Sequence, residues 1–240
     1  MPPGTTVLLK EVFMLIKDWM ATAVLTVDAN TSVMRATRIM KENNIRRLPV
    51  LSQGKLAGVV TDRDLKEASP SSTSDMDIHE MYYLLSEMKI KDVMTDKCIS
   101  MHLDDTLEKA ALVMLAEKIS GVMILDSEDN LVGLLSETDI LRGFIHATGI
   151  QDGADQYVID MPDAPGSVTR VIDTLREYNA RVLSILTSFE DAPAGQKRVA
   201  IRISIDDDKL PALEQDIMDL DNYNIVSHNK DELKNLPSKK

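Results

Sequence analysis

The chain has 240 residues, 44% of them apolar and 28% charged, which is the composition of a water-soluble globular protein with room for two or three small domains. Its net charge of −12 argues against nucleic acid or an anionic membrane surface as a partner, since both need clustered cations. A single cysteine, Cys98, rules out an intramolecular disulfide and fits a reducing, cytoplasmic setting.

Residues 1–13 are too short and lack the small-residue cleavage site of a secretory signal. Met14 directly precedes the first recognisable motif, so an alternative start there, with a loosely held leader before it, is expected. No apolar run approaches the roughly 18 to 20 residues that cross a bilayer, so membrane insertion is not expected. The four histidines, His79, His102, His146 and His228, have no metal-ligand spacing. His79-Glu80 begins like a zinc-protease helix, but Tyr83 stands where the second histidine would be. Lys230-Asp231-Glu232-Leu233 copies a retention tag, yet such tags are read only at the extreme C-terminus.

The dominant feature is a repeat. Ile16-Lys17-Asp18-Trp19-Met20 returns as Ile90-Lys91-Asp92-Val93-Met94. Ala36, Met40, Ile45 and Leu51 recur at the same offset as Ala110, Met114, Ile119 and Leu125. After a one-residue insertion, Leu56, Gly58, Thr61 and Asp64 recur as Leu131, Gly133, Ser136 and Asp139. Two such units bury a face against each other and leave paired clefts about a pseudo-two-fold axis.

Each repeat reads as strand, helix, strand, strand, helix. Val24-Leu25-Thr26-Val27 is β-prone, and Cys98 falls in the corresponding short apolar strand. Val33, Ala36, Thr37 and Met40 form one helical stripe, as do Leu107, Ala110, Ala111 and Met114. Asp105 and Glu108 look like an acidic capping box for the second of these helices. Residues 48–51 and 56–60 make a hairpin around Gln53-Gly54, with a twin at 122–125 and 131–135. Between the repeats, residues 68–74 are a Ser/Pro linker. Ile78, Met81, Tyr82 and Leu85 then follow at helical spacing, predicting a short helix that packs on the pair.

A second boundary falls near residues 149–153. Gln156–Met161 alternates as a strand, and Asp163-Ala164-Pro165-Gly166 makes a tight loop before the stripe Val168, Val171, Ile172 and Leu175. Strands at 181–187 and 199–205, a helix at 210–220 and a strand at 223–227 complete a βαββαβ order, the ferredoxin-like arrangement. The chain is therefore α/β (α+β), divided into a leader (1–13), repeats at 14–68 and 90–148, a linker with a short helix (69–89), a βαββαβ domain (154–230) and a tail (231–240).

The candidate chemistry lies in Thr61-Asp62-Arg63-Asp64 and Ser136-Glu137-Thr138-Asp139, each ending an apolar strand and opening a helix. One reading is local: Ser/Thr-x-x-Asp is itself a helix cap. The other is that such a turn offers a hydroxyl and free N–H groups to a phosphate, and a carboxylate to ribose hydroxyls.

The duplicated Ile-Lys-Asp-x-Met, with Arg46-Arg47-Leu48-Pro49-Val50 and Gly58-Val59-Val60-Thr61-Asp62-Arg63-Asp64, resembles a tandem pair of cystathionine-β-synthase (CBS) domains, or Bateman module, over residues 14–147. The resemblance implies adenosine-containing regulatory ligands, either an adenine nucleotide or S-adenosylmethionine. Thr61, Asp64, Ser136 and Asp139 would hold phosphate and ribose, with Val24 and Cys98 near the base. The repeats are unequal: Arg46, Arg47 and Arg63 are replaced in the second by Ser120, Gly121 and Thr138, with Glu137 alongside. At most one site is therefore expected to favour a multiply phosphorylated nucleotide.

The last domain resembles an ACT domain, on the strand followed by Asp163-Ala164-Pro165-Gly166-Ser167-Val168. That resemblance leaves two readings open, amino-acid binding at Asp163, Gly166 and Ser167, or a dimerising sheet. The order of domains is similar to acetoin-utilisation CBS–ACT proteins. These resemblances imply a homodimer, an unidentified regulated protein and a non-catalytic sensor, since no nucleophile–base pair or metal cluster stands out. Against this stands a scaffold whose clefts stay empty.

Overall fold

The structure, a computed structural model, describes residues 14–69, 77–151, 153–190 and 192–236; the leader, most of the Ser/Pro linker and the end of the tail lie outside the described residues. The chain divides into two compact units, one ending at Gly143 and one beginning at Phe144.

In the first unit, the first repeat supplies β1 (Val27–Asp28), α1 (Val33–Glu42), β2 (Arg47–Ser52), β3 (Lys55–Thr61) and α2 (Asp62–Glu67). After α3 (Ile78–Glu87), the second supplies β4 (Ser100–His102), α4 (Leu107–Glu117), β5 (Gly121–Leu125), β6 (Leu131–Ser136) and α5 (Glu137–Ala147). Each repeat builds a three-stranded sheet, β1-β2-β3 or β4-β5-β6. In each sheet the first pair is parallel and the second an antiparallel hairpin. The first hairpin turns on Gln53 and Gly54, both at positive φ (53° and 79°), the handedness that matches the twist of two-residue β-turns.

The helices start where short polar side chains can cap them. The Ser32 hydroxyl accepts from the Arg35 N–H and the Thr106 hydroxyl from the Lys109 N–H. The capping box expected from Asp105 and Glu108 does not form. Asp105 lies one residue too early, and its carboxylate instead accepts the His102 N–H, closing the turn after β4. The stripe expected to pack α3 on the pair is only partly inward. Leu85 packs on the first core, whereas Tyr82 and Tyr83 are 52% and 67% exposed. Nothing is described of the Ile78 and Met81 side chains.

The two repeats exchange their opening segments. Ile16, in a 3-10 turn ahead of the first repeat, is fully buried in the core of the second, among Leu107, Ala110 and Val122. Ile90, ahead of the second repeat, is fully buried in the core of the first, among Val33, Ala36 and Leu48. The backbone repeats the exchange. Ile16 and Lys17 donate to the carbonyls of Asp105 and Leu103 at 2.9 and 3.1 Å, and Ile90 and Lys91 to those of Thr31 and Ala29 at 2.8 and 2.9 Å.

Ala21 then pairs with Leu134 of β6, and Thr95 with Val59 of β3. The repeated glycines mark these crossings. A Cβ at Gly58 would stand 2.5 Å from the Thr95 carbonyl oxygen, and one at Gly133 would stand 2.4 Å from the Met20 sulfur.

The second unit runs β7 (Asp155–Pro162), α6 (Ser167–Glu177), β8 (Arg181–Ser188), β9 (Gln196–Ser204), α7 (Leu210–Met218) and β10 (Asn224–Lys230). Its sheet order is β10-β7-β9-β8, antiparallel throughout, which is the ferredoxin-like arrangement. Alternate strand residues Tyr157, Ile159 and Met161 and helix residues Val171, Leu175, Leu213 and Ile217 fill the core. Buried Asp160 receives two bonds from the Arg198 guanidinium, at 2.7 and 2.9 Å.

Because each opener completes the other repeat's core, Ile16→Ala and Ile90→Ala should each destabilise the whole pair by about 2–5 kcal/mol. Urea unfolding should show one shifted transition for both; a second, unshifted transition reporting an intact partner repeat would contradict the exchange.

Candidate functional site

The exchange places both strand-to-helix turns, β3–α2 and β6–α5, in the first unit, where a cleft of about 1000 Å³ opens between residues of the two repeats. Val24, Arg46, Arg47, Thr61, Arg63, Asp64, Cys98 and Ser136 all border it; Asp139 does not.

The walls differ from the expected strands in one respect. β1 is confined to Val27–Asp28, which pair with Val50 and Leu51, so Val24 and Leu25 leave the sheet and line the cleft. Cys98 likewise precedes β4 rather than lying within it. Burial pushes its thiol pKa up from the usual cysteine value.

Both turns form complete hydroxyl–carboxylate boxes. Asp64 Oδ2 accepts the Thr61 N–H at 2.7 Å and the Thr61 hydroxyl at 2.8 Å, while the Asp64 N–H donates to Thr61 Oγ1 at 3.3 Å. Asp139 Oδ2 and Ser136 repeat the pattern. The next backbone donors are used as well: the Asp62 N–H donates to the Arg46 carbonyl at 2.9 Å and the Glu137 N–H to the Ser120 carbonyl at 3.3 Å. The free N–H groups expected at these turns are therefore largely consumed, because the carboxylate that caps the helix lies within reach of them.

What distinguishes the turns is the second carboxylate oxygen. Among the described residues Asp64 Oδ1 accepts no hydrogen bond, and Asp64 faces the cleft. Asp139 Oδ1 is held by Arg142 Nη1 at 3.2 Å. Arg142 stands three residues along α5, where its side chain reaches back to the first turn.

Three arginines border the cleft unequally. Arg63 is exposed and pairs with Glu67 along α2 at 2.8 Å. Arg46 is exposed, whereas Arg47 is half-buried and reaches the second repeat, its Nη2 donating to the Ser120 hydroxyl at 2.5 Å. Desolvation lowers the Arg47 pKa, partly offset by Glu137 and Asp62, with Arg46 adding to the lowering.

Residues not singled out from the sequence also line the cleft. Lys97 and Lys118 join the arginines, facing Asp62, Asp64, Glu117 and Glu137. Lys118 is the left-handed cap of α4, at φ 56°, as Asn44 is beyond α1 at φ 52°. The shared offset of Asn44 and Lys118 was the available signal. A chain of net charge −12 thus lines this cleft with at least as many cations as carboxylates.

In the second unit, Gly166 takes φ 82° at the start of α6, and the Ser167 N–H donates to the Ala164 carbonyl at 3.2 Å. Ser167 is buried, and Asp163 lies 3.8 Å from Lys197 Nζ. Gly166 and Ser167 are adjacent, but the Ser167 donor is already occupied.

The CBS domain family matches residues 16–71 and 90–146. The CBS domain-containing protein YhcV of Bacillus subtilis is 30% identical over 125 residues, spanning 52% of this chain and 81% of YhcV. The chain belongs to the CBS-domain family. The L-aspartate semialdehyde sulfurtransferase of Methanocaldococcus jannaschii is 29% identical over 137 residues, 57% of this chain and only 24% of that enzyme. Among solved structures, the CBS pair of protein MJ0100, in complex with 5′-methylthioadenosine and S-adenosyl-L-methionine, is 29% identical, with a TM-score of 0.46. It covers 55% of this chain and 96% of that one. No helix among the described residues is long and apolar enough to cross a membrane.

The raised thiol pKa leaves little thiolate on Cys98 at neutral pH. Iodoacetamide at pH 8 should therefore alkylate it at least about threefold more slowly than an unstructured cysteine peptide. Equal or faster modification, followed by mass spectrometry, would contradict the burial.

Proposed function

We propose that this CBS-domain pair is a non-catalytic sensor of adenosine-containing ligands, and that the βαββαβ unit is an ACT-type domain through which a homodimer reports to a regulated protein. The observation that carries the reading is Asp64. Its Oδ2 is spent on the Thr61 box, while Oδ1 accepts no hydrogen bond among the described residues, and Asp64 borders a cleft lined by Arg46, Arg47 and Arg63. A carboxylate oxygen suits the paired hydroxyls of a ribose, guanidinium groups suit a phosphate chain, and Val24 and Cys98 offer an apolar wall for a purine.

The inequality of the repeats supports one nucleotide position rather than two equal ones. Around Asp139 the corresponding oxygen is bonded to Arg142, and Glu137 stands at the start of α5 to repel phosphate. The second position then suits a neutral or cationic adenosyl group such as S-adenosylmethionine, or nothing. Within this reading the domain order, which resembles that of acetoin-utilisation CBS–ACT proteins, supports a role in carbon metabolism.

A competing reading, a scaffold with an empty cleft, draws on the completeness of both boxes, which account for Thr61, Asp64, Ser136 and Asp139 without any ligand. An amino-acid sensor acting through Asp163, Gly166 and Ser167 finds less support, because the Ser167 N–H is already bonded.

Titration calorimetry with ATP, ADP, AMP, S-adenosylmethionine and 5′-methylthioadenosine separates these readings. Asp64→Asn, which keeps a cap acceptor, should weaken the best ligand about tenfold or more, the loss expected for a hydrogen bond to a charged group. Asp139→Asn should weaken it less than about threefold, a change of about 0.65 kcal/mol. No binding by any compound would overturn the sensor reading, and equal losses in the two variants would overturn the assignment of the ligand to Asp64.

A further inference from the structure

β10 is an edge strand of the second unit, with β7 as its neighbour, and its last residues hold two things in place. On the side covered by α7, His228 stands opposite Tyr157 and stacks on it, the ring centroids 4.3 Å apart. His228 Nε2 lies 2.7 Å from Asp155 Oδ1 and Nδ1 lies 2.9 Å from Glu214 Oε1. Asp155 is fully buried, and its Oδ2 has no hydrogen-bond partner among the described residues. Glu214, on α7, also accepts the Tyr157 hydroxyl at 2.9 Å.

Asp231, one residue past β10, forms an almost fully buried ion pair with Arg202 at 2.9 Å. Its N–H donates to the Ala154 carbonyl at 2.7 Å and its carbonyl accepts the Gly153 N–H at 2.9 Å. Arg202 Nη1 also donates to the Thr148 carbonyl at 2.6 Å. The end of β10 therefore grips Thr148, Gly153 and Ala154, in the segment between α5 and β7.

We infer that Asp155, His228 and Glu214 form a proton-operated latch, which holds β10 and the grip of Asp231 closed while protonated and loosens both when the proton leaves. The inference is independent of the adenosine reading.

Each ring nitrogen faces a carboxylate oxygen, so the two contacts need two protons, and a neutral imidazole carries only one. The second proton belongs to the cluster as a unit, whether on the ring or on a carboxylate. Tyr157 does not supply it, because burial, and then its bond to Glu214, push the phenol pKa up and keep that proton on its oxygen. Lys230, the cation of the same strand that feels Asp155, binds Asp207 instead. Loss of the proton thus turns a ring lone pair toward a carboxylate. Asp155 is the costly case, being buried with no other side-chain donor among the described residues. The strain falls on β10, which as an edge strand opens more readily than the strands inside the sheet. The closed state is accordingly favoured at the lower pH and lost as pH rises.

Amide hydrogen exchange on the full chain at pH 6 and pH 9, which bracket the imidazole range, tests this when expressed as protection factors. Protection at residues 227–231 and at Gly153 should fall about tenfold or more at pH 9, while residues 199–203 of β9 hold theirs. Glu214→Gln keeps the size of the side chain and an acceptor for Tyr157 but removes one carboxylate, so the second proton is no longer needed. Its loss of protection between the two pH values should shrink to less than about threefold. His228→Gln should likewise be insensitive to pH, and circular dichroism checks that both variants fold.

Unchanged protection in the parent, an equal fall across β9, or a Glu214→Gln variant that keeps the full parental change would each overturn the latch.

Discussion

The first unit depends on a reciprocal exchange of one isoleucine. Ile16 completes the core of the second repeat and Ile90 that of the first, each with no exposed surface. Neither repeat has a finished core without the other's opener, so the pair folds as one interlocked body. The chain continuing from each opener then lies across the other repeat's hairpin, at Ala21–Leu134 and at Thr95–Val59. At the first of these hairpins the Thr95 carbonyl oxygen comes so close that only glycine fits at 58, whereas at Gly133 the flexible Met20 side chain takes the space of a Cβ. Val24 and Cys98 lie a few residues past the crossings, which is why both reach the cleft.

Within that frame, local capping and the proposed ligand recognition draw on different oxygens of the same carboxylates. A threonine or serine followed three residues later by aspartate terminates a strand and starts a helix, and both turns do so fully. Capping uses Oδ2, leaving function to the other oxygen. At Asp64, which borders the cleft, that oxygen accepts no hydrogen bond among the described residues, and at Asp139 it is bonded to Arg142. One i,i+3 ion pair thus distinguishes the two turns, and on the proposed reading it separates the ligand-binding turn from the other. The cleft also gathers Arg46, Arg47, Lys97 and Lys118 in an otherwise acidic chain.

Much of this was legible in the sequence, and what was hidden has physical causes. The repeat offset located the helices, hairpins and turns, because Ala36, Met40 and Gly58 and their twins occupy positions where packing tolerates few residues. The alternation from Gln156 to Met161 likewise marked β7, whose odd residues Tyr157, Ile159 and Met161 are buried. The exchange was not legible, since an offset records similarity and not which core a side chain enters. Asp105 was misread as a cap because its spacing to Glu108 was right, while a better placed hydroxyl, Thr106, stood one residue later. The reach of Arg47 required knowing that the hairpins face one another.

Ala21 and Thr95, the residues of the two crossings, both border the cleft, so on the proposed reading a ligand there bears on both at once. Hydrogen exchange on the full chain, with and without saturating ATP, measures this directly. The account expects slower exchange at both crossings, in segments 20–25 and 94–99, and at the turns around Thr61 and Ser136. Protection confined to residues 155–230, or none anywhere, would contradict it.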